Sequence, residues 1–479
     1  MNRSLPLITA LAFCALFTSS TPSALAKPIA PTFSREIAPI LFTHCATCHR
    51  PGEVGPFPLL TYEDARKRAK TIVAAVEKRL MPPWKAAPGL VAYHDDPRLS
   101  DAQIALIKEW AATSAPEGNR AELPPLPKFT TGWSLGEPGL VLQADQEFTL
   151  DADGRDVYQC FVIPTKFTED RYLSALEVRP SNRRVVHHVV AFTDTTGKGR
   201  ERDAATPEPG YRTFGGPGVP GAQWLEGWAP GKSPRHLPAG HGMFVPKGAD
   251  IILQVHYNKT GKAETDLTKI GFHFVKGPVD KRVRIHTHAY PGLNIPPGNA
   301  HYNVTNTYTV PAGVTVLAVW PHMHLIGRSM NVEATLPGGT KQPMVTVPDW
   351  NFNWQLGYHF KEPLKFPAGT KIQLTAQYDN STNNPANPSH PPKAVRWGEQ
   401  TTDEMCIAFY AYTVDAEHLA QGIVASGMSR GGGGNREAMT TLMQEALKLF
   451  DKDGDGKLND AERAEAVKAF QERFGTKKK

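Results

Sequence analysis

The sequence predicts a mainly β protein with helical segments at its two ends. Three observations carry this. From about residue 139 to 426, short runs of alternating apolar residues are broken by Gly and Pro, and the chain has 41 Gly and 42 Pro in 479 residues. That texture marks β-sandwiches. Residues 34–112 instead place apolar side chains at helical spacing, and a helical pattern returns after the four glycines 431–434. The length fits about three domains.

The chain begins with a short apolar run, 5–17, after Arg3, and reaches Ala24-Leu25-Ala26. This reads as a signal peptide over 1–26, so the protein is expected to be exported, to a periplasm or outside the cell. No later run is apolar enough to span a bilayer. The net charge of +6 is mild and unclustered. It gives no footing for nucleic acid.

Residues 27–119 form the first expected domain. Helices are expected over 34–42, 62–80 and 101–112, the last opened by Ser100 as N-cap. Between the first two lies Cys45-Ala-Thr-Cys48-His49. The two thiols can each form a thioether to a haem vinyl group, with His49 as the proximal ligand of the iron. A zinc site would want a second Cys pair, and none exists. Met81-Pro82-Pro83 offers a thioether on a stiff loop. Met81 is the favoured sixth ligand, with His44 and His94 as competitors. The segment resembles a cytochrome c domain. Cys160 and Cys406 can be paired or free.

A Pro-rich linker, within 120–147, leads to the β-region. Strands are expected near 139–143, 185–192, 250–257, 314–319 and 371–378. Three histidine signals sit among them: His187-His188, Leu253-Gln-Val-His256-Tyr257 and His322-Met-His324. A fourth signal is Asp403-Glu-Met405-Cys406. On a strand, His322 and His324 share a face. His187 and His188 point to opposite faces unless a bulge turns one of them. Imidazole suits Zn, Cu, Fe or Ni, and an added thioether favours Cu(I). Taken singly, each histidine reads as structural. His286-Thr-His288 is a competing pair, and Met323, Met330 and Met344 are competing thioethers.

The order and wording of the four signals resemble the copper type II, ascorbate-dependent monooxygenases, the family of peptidylglycine α-hydroxylating and dopamine β-monooxygenases. The resemblance extends to Asp349-Trp-Asn-Phe-Asn-Trp-Gln355 and Pro367-Ala-Gly369. It implies two jelly-roll-like β-domains, here 148–278 and 279–426, facing each other across a cleft. It implies that His187, His188 and His256 hold an electron-transfer copper. His322, His324 and Met405 would then hold the copper where O2 binds and carry the catalysis. The peptide-processing members grip a substrate carboxylate with Arg, Asn and Tyr. Those places here are Trp320, Ile407 and Phe409, so a small, apolar substrate is expected.

After a Gly-rich linker, 427–435, the segment 436–479 reads as one EF-hand. Its loop would bind calcium through Asp451, Asp453, Asp455, the carbonyl of Lys457, Asn459 and Glu462, with Gly456 at the turn. The expected cofactors are two copper ions, one covalent haem c and one calcium ion. The expected function is hydroxylation of a substrate C–H bond with O2, electrons entering through the haem from ascorbate or a periplasmic redox protein. The other readings are a periplasmic copper/haem electron-transfer or copper-binding protein without hydroxylase activity, and a copper oxidase or reductase of small molecules that inserts no oxygen into a C–H bond.

Overall fold

The computed structural model describes residues 1 and 30–428, apart from 131, 155, 214, 215 and 399. The expected signal peptide apart from Met1, most of the glycine-rich stretch and the whole of the expected EF-hand segment lie outside the described residues.

The N-terminal part is a small helical module. A π-turn at Phe33–Ile37 runs into helix Ala38–His44, followed by helices Tyr62–Glu77 and Asp101–Ala112. Thr61 and Ser100 cap the latter two, and Ser100 forms a full capping box with Gln103. Their apolar faces meet in a core containing Phe33, Ile37, Leu41, Ile72, Ile107 and Trp110. The second helix stops at Glu77, short of the expected 80. Arg79 adopts a left-handed φ of 49°, and Pro82 and Pro83 have no N–H to continue the ladder.

Residues 84–94, within the expected first domain, leave the helical core and dock on the C-terminal sandwich. Ala87 N donates to Thr346 O at 2.7 Å, Lys361 N to Ala92 O at 2.9 Å, and His94 N to His359 O at 2.8 Å. Trp84 packs edge-on to Tyr358 at 5.0 Å, and the Tyr93 hydroxyl donates to Met344 O at 2.7 Å. The segment is a strap along the outer strand of a sheet.

The rest is two β-sandwiches, each with its own core. The N-terminal sandwich includes a five-stranded sheet in the order Tyr211–Arg212, Val157–Pro164, Asp250–Tyr257, Val186–Asp194, Gln223–Trp228. Every residue of Asp250–Tyr257 is buried. The C-terminal sandwich includes a four-stranded sheet, Tyr302–Thr309, Lys371–Tyr378, Gly327–Thr335, Lys341–Val347. The remaining layers are continuous. One eight-stranded sheet runs Leu140–Gln143, Lys269–Phe274, Arg171–Arg179, His241–Val245, Lys281–Ala289, Ile407–Val414, Val314–His322, Tyr358–Phe366. Its seam is a parallel pairing of Lys281, Arg282 and Val283 with His241, Gly242 and Met243. The two sandwiches thus share a layer. Cys160 and Cys406 are buried free thiols, one in each sandwich.

Candidate metal centre

The first histidine group grows from a strand defect. Val186 pairs with Tyr257 and His188 with His256, so His187 is the extra residue of a bulge. The bulge turns both side chains to one side, the condition the alternation of a regular strand forbids. His187, His188 and His256 each offer a ligand atom, all within 4.8 Å of one another. The Nδ1 atoms of His187 and His188 are 3.2 Å apart, and those of His188 and His256 are 3.4 Å apart. Burial lowers the pKa of all three, His188 and His256 farthest. Three neutral imidazoles turned toward one point form a donor set for a borderline or soft cation. Asp156 Oδ2 lies 3.0 Å from His256 Nε2 and orients that ring. Tyr158 stacks on it at 4.0 Å and 10°.

The second group lies across the space between the sandwiches. His322 ends its strand and His324 follows two residues on, with ring centroids 5.2 Å apart and perpendicular. His322 Nδ1 is 2.7 Å from Gln355 Oε1, and His324 Nδ1 is 3.2 Å from Asp403 O. Both rings therefore spend Nδ1 on the protein, which frees Nε2 for a ligand role. Burial pushes His322 down to about 3.

Met405 is tied to this pair by Glu404. One carboxylate oxygen of Glu404 accepts from His324 N at 2.8 Å and from Met405 N at 3.1 Å. The other accepts from Ile326 N at 2.9 Å. Glu404 is fully buried, and burial pushes its carboxyl up to about 8 against the pull of these N–H groups. Tyr378 donates to Met405 O at 2.8 Å, and Trp350 Nε1 to His324 O at 3.0 Å. Met405 is buried but belongs to none of the hydrophobic clusters. The competitors Met323, Met330 and Met344 all sit in the C-terminal core. The pair His286 and His288 is buried beside Tyr308 and Tyr410, with His288 Nδ1 at 2.8 Å from the Tyr410 hydroxyl.

The roles of Glu404, Gln355, Asp156 and Phe352 escaped the reading of the sequence, although three of them lie inside the quoted motifs. Phe352 touches both groups: its ring is 6.2 Å from His187 and 6.1 Å from His324.

In the helical module, the Cys45–His49 turn closes with Cys48 N and His49 N both donating to Cys45 O. His49 Nδ1 is 3.0 Å from Phe57 O, so Nε2 is left for a ligand role. A Cβ on Gly55 would stand 2.6 Å from Cys48 O and 2.9 Å from the His49 ring, so only glycine lets the loop fold this closely. Both thiols are unbonded. The residues fit a covalent haem with His49 ligation. Met81 is half-buried where the strap leaves the module. A solvent-open cleft lined by Cys48, Arg50, Glu53, Arg183, Trp228 and Lys232 among others lies between this loop and the N-terminal sandwich. Glu53 bridges it, bonding Arg50 at 2.8 Å and Arg183 at 2.5 Å.

Residues 283–423 match the family model described as copper type II ascorbate-dependent monooxygenase, C-terminal domain. The chain is also similar to DBH-like monooxygenase protein 1 of Gallus gallus, with 21% identity over 281 residues. That match covers 53% of this chain and 43% of the relative, so the chain spans less than half of that protein's length. Both findings support the copper type II monooxygenase family. Among solved structures, the major capsid protein P2 of bacteriophage PM2 is 10% identical, covers 57% of this chain and 97% of its own, and has a TM-score of 0.24. The infectious bursal disease virus Gt strain structure is 11% identical, covers 73% and 96%, and has a TM-score of 0.15. Likeness at these scores carries no argument. Among the described residues, no helix is long and apolar enough to cross a membrane.

Proposed function

We propose that the chain is an exported copper monooxygenase that hydroxylates a C–H bond of a small, uncharged, largely apolar molecule. The observation that carries the reading is the pairing of two histidine groups, one on each sandwich, in contact with the same phenylalanine. His187, His188 and His256 would hold one copper; His322, His324 and Met405 would hold the other. Bound copper supplies the redox chemistry with O2, and haem c supplies one-electron transfer.

The chain's own contribution is orientation and exclusion of water. Asp156, Gln355 and Asp403 fix which ring nitrogen faces outward. Glu404 holds the backbones of His324 and Met405 in one clasp. Beside His322, the rings of Phe409, Trp224 and Trp320 form an aromatic wall: Phe409 and Trp224 are 4.5 Å apart, Trp224 and Trp320 6.2 Å. No charged side chain stands at positions 320, 407 or 409. Lys232 over Trp320 is already paired with Glu226 at 2.6 Å. A carboxylate held by positions 320, 407 and 409 would lose its hydration with no charged partner from those three residues in exchange.

We place electron entry at the 45–49 loop, through His49 and Met81 as haem ligands. The Glu53–Arg183 bridge supports this, because Arg183 lies four residues before His187. Calcium would bind the 451–462 loop. The test is oxygen uptake by fully metal-loaded protein with candidate apolar substrates, with labelled O2 traced into product. Label in the product and a Cu:Fe ratio of two are expected. Electron transfer without label in any product would leave an electron carrier instead.

A further inference from the structure

The loop 349–355 touches both histidine groups and the strap. At its base, the Lys85 ammonium reaches Asp349 at 2.8 Å, and the Lys85 side chain is only 8% exposed. Two further bonds from the strap, Ala87 N to Thr346 O and the Tyr93 hydroxyl to Met344 O, hold the strand that leads into the loop. One residue on, Trp350 bonds Arg328 O through its backbone N–H and His324 O through its indole. At the tip, Phe352 lies nearly parallel to His187, at 17°, and meets His324 edge-on, at 86°. At the far end, Gln355 holds His322 through Oε1 and reaches back to Phe352 O through Nε2, at 3.1 Å.

A phenyl ring has no ligand atom, so Phe352 does not coordinate. Its ring centroid lies 6.2 Å from that of His187 and 6.1 Å from that of His324, between the two sets of donors. Parallel and edge-on contacts are the two favoured geometries of neighbouring rings, and together they fix the tilt of one imidazole in each group. We infer that Phe352 is a positioning residue for both metal sites, orienting His187 and His324 and keeping water from the space between them, and that Lys85 of the strap anchors the loop that carries it. The inference rests on the reading of the histidine groups as copper sites.

The test uses the full chain loaded with Cu(II), compared with Phe352→Leu, Phe352→Tyr and Lys85→Met. Leu keeps apolar bulk without a ring, and Tyr keeps the ring. Two Cu(II) per chain are expected in all four proteins. Phe352→Leu should shift the copper hyperfine splittings in the EPR spectrum and deepen the deuterium modulation of the spin echo in D2O. Phe352→Tyr should reproduce the parent spectrum, and Lys85→Met should shift it in the direction of Phe352→Leu. A Phe352→Leu protein with two coppers and a parent-like spectrum overturns the positioning role. A parent-like Lys85→Met spectrum overturns the anchor. A parent chain that binds no copper overturns the copper reading itself.

Discussion

Glu404→Gln separates the clasp from the rest of the second site. Glu404 accepts from the backbone N–H groups of His324, Ile326 and Met405, all buried. Glutamine keeps one acceptor oxygen, which can still serve His324 and Met405 together. Its NH2 group then confronts the Ile326 N–H, donor against donor. One buried N–H left without an acceptor costs about 1–3 kcal/mol. Alanine would strand all three, at about 3–9 kcal/mol, which approaches the whole stability of an ordinary domain. Glutamine is therefore the informative change. Above about pH 8, where Glu404 is ionised, urea unfolding should shift to lower concentration by the equivalent of about 1–3 kcal/mol. Copper affinity, by equilibrium dialysis, should fall about tenfold or more at the His322, His324 and Met405 site, since 1.4 kcal/mol is a factor of ten. The three-histidine site should keep its copper. Unchanged unfolding together with full copper at both sites would refute the clasp.

Three further outcomes are expected. Asp156→Asn removes the carboxylate beside His256 Nε2 and should weaken copper at the three-histidine site by about 10–100-fold; equal loss at both sites would speak against it. Gly357→Ala would put a Cβ 2.0 Å from Trp320 Nε1, so the indole must move; a cost of about 1–3 kcal/mol and altered near-ultraviolet circular dichroism are expected, and an unmoved melting temperature would show slack in the wall. His288 is held neutral, burial drawing it down to about 4. The unfolded chain takes up this proton first, so its stabilisation is complete above about pH 6.5 and is lost as pH falls toward 4, at about 1.4 kcal/mol per pH unit, or about 3 kcal/mol in all. Melting temperature against pH should fall across that window and fall less in His288→Gln; identical slopes would exclude His288 as a source.

Local features were legible. Ser100 and its Gln103 announce their helix by a capping box, and the 250–257 run is apolar enough to be the buried centre of its sheet. The histidine pair was legible only conditionally: alternation separates His187 from His188, and the bulge that reunites them is set by pairing with Tyr257 and His256, some 70 residues away. The strap left no trace, because three of its bonds run backbone to backbone, to residues 346, 359 and 361, and its side-chain partners Met344, Asp349 and Tyr358 lie far along the chain. Glu404 was read as part of a motif without a task, since the N–H groups it satisfies come from the turn after His322, about 80 residues earlier. The shared eight-stranded layer was hidden for the same reason: strand periodicity says which side chains face inward and nothing about which strand lies alongside.

That shared layer bears on how the protein can be divided. The seam residues Lys281, Arg282 and Val283 belong to the strand Lys281–Ala289, which also carries the antiparallel pairing with Ile407–Val414. A cut at 283, where the family match begins, would pass through that strand. The liberated C-terminal piece would lose its parallel neighbour His241–Met243, and without the strap it would also bare the strand Tyr358–Phe366. Two open borders on one sheet are templates for self-association. Calorimetry of the intact chain should accordingly register the sandwiches melting as a single cooperative event, and shorter expression products should begin before the strap and end beyond residue 414.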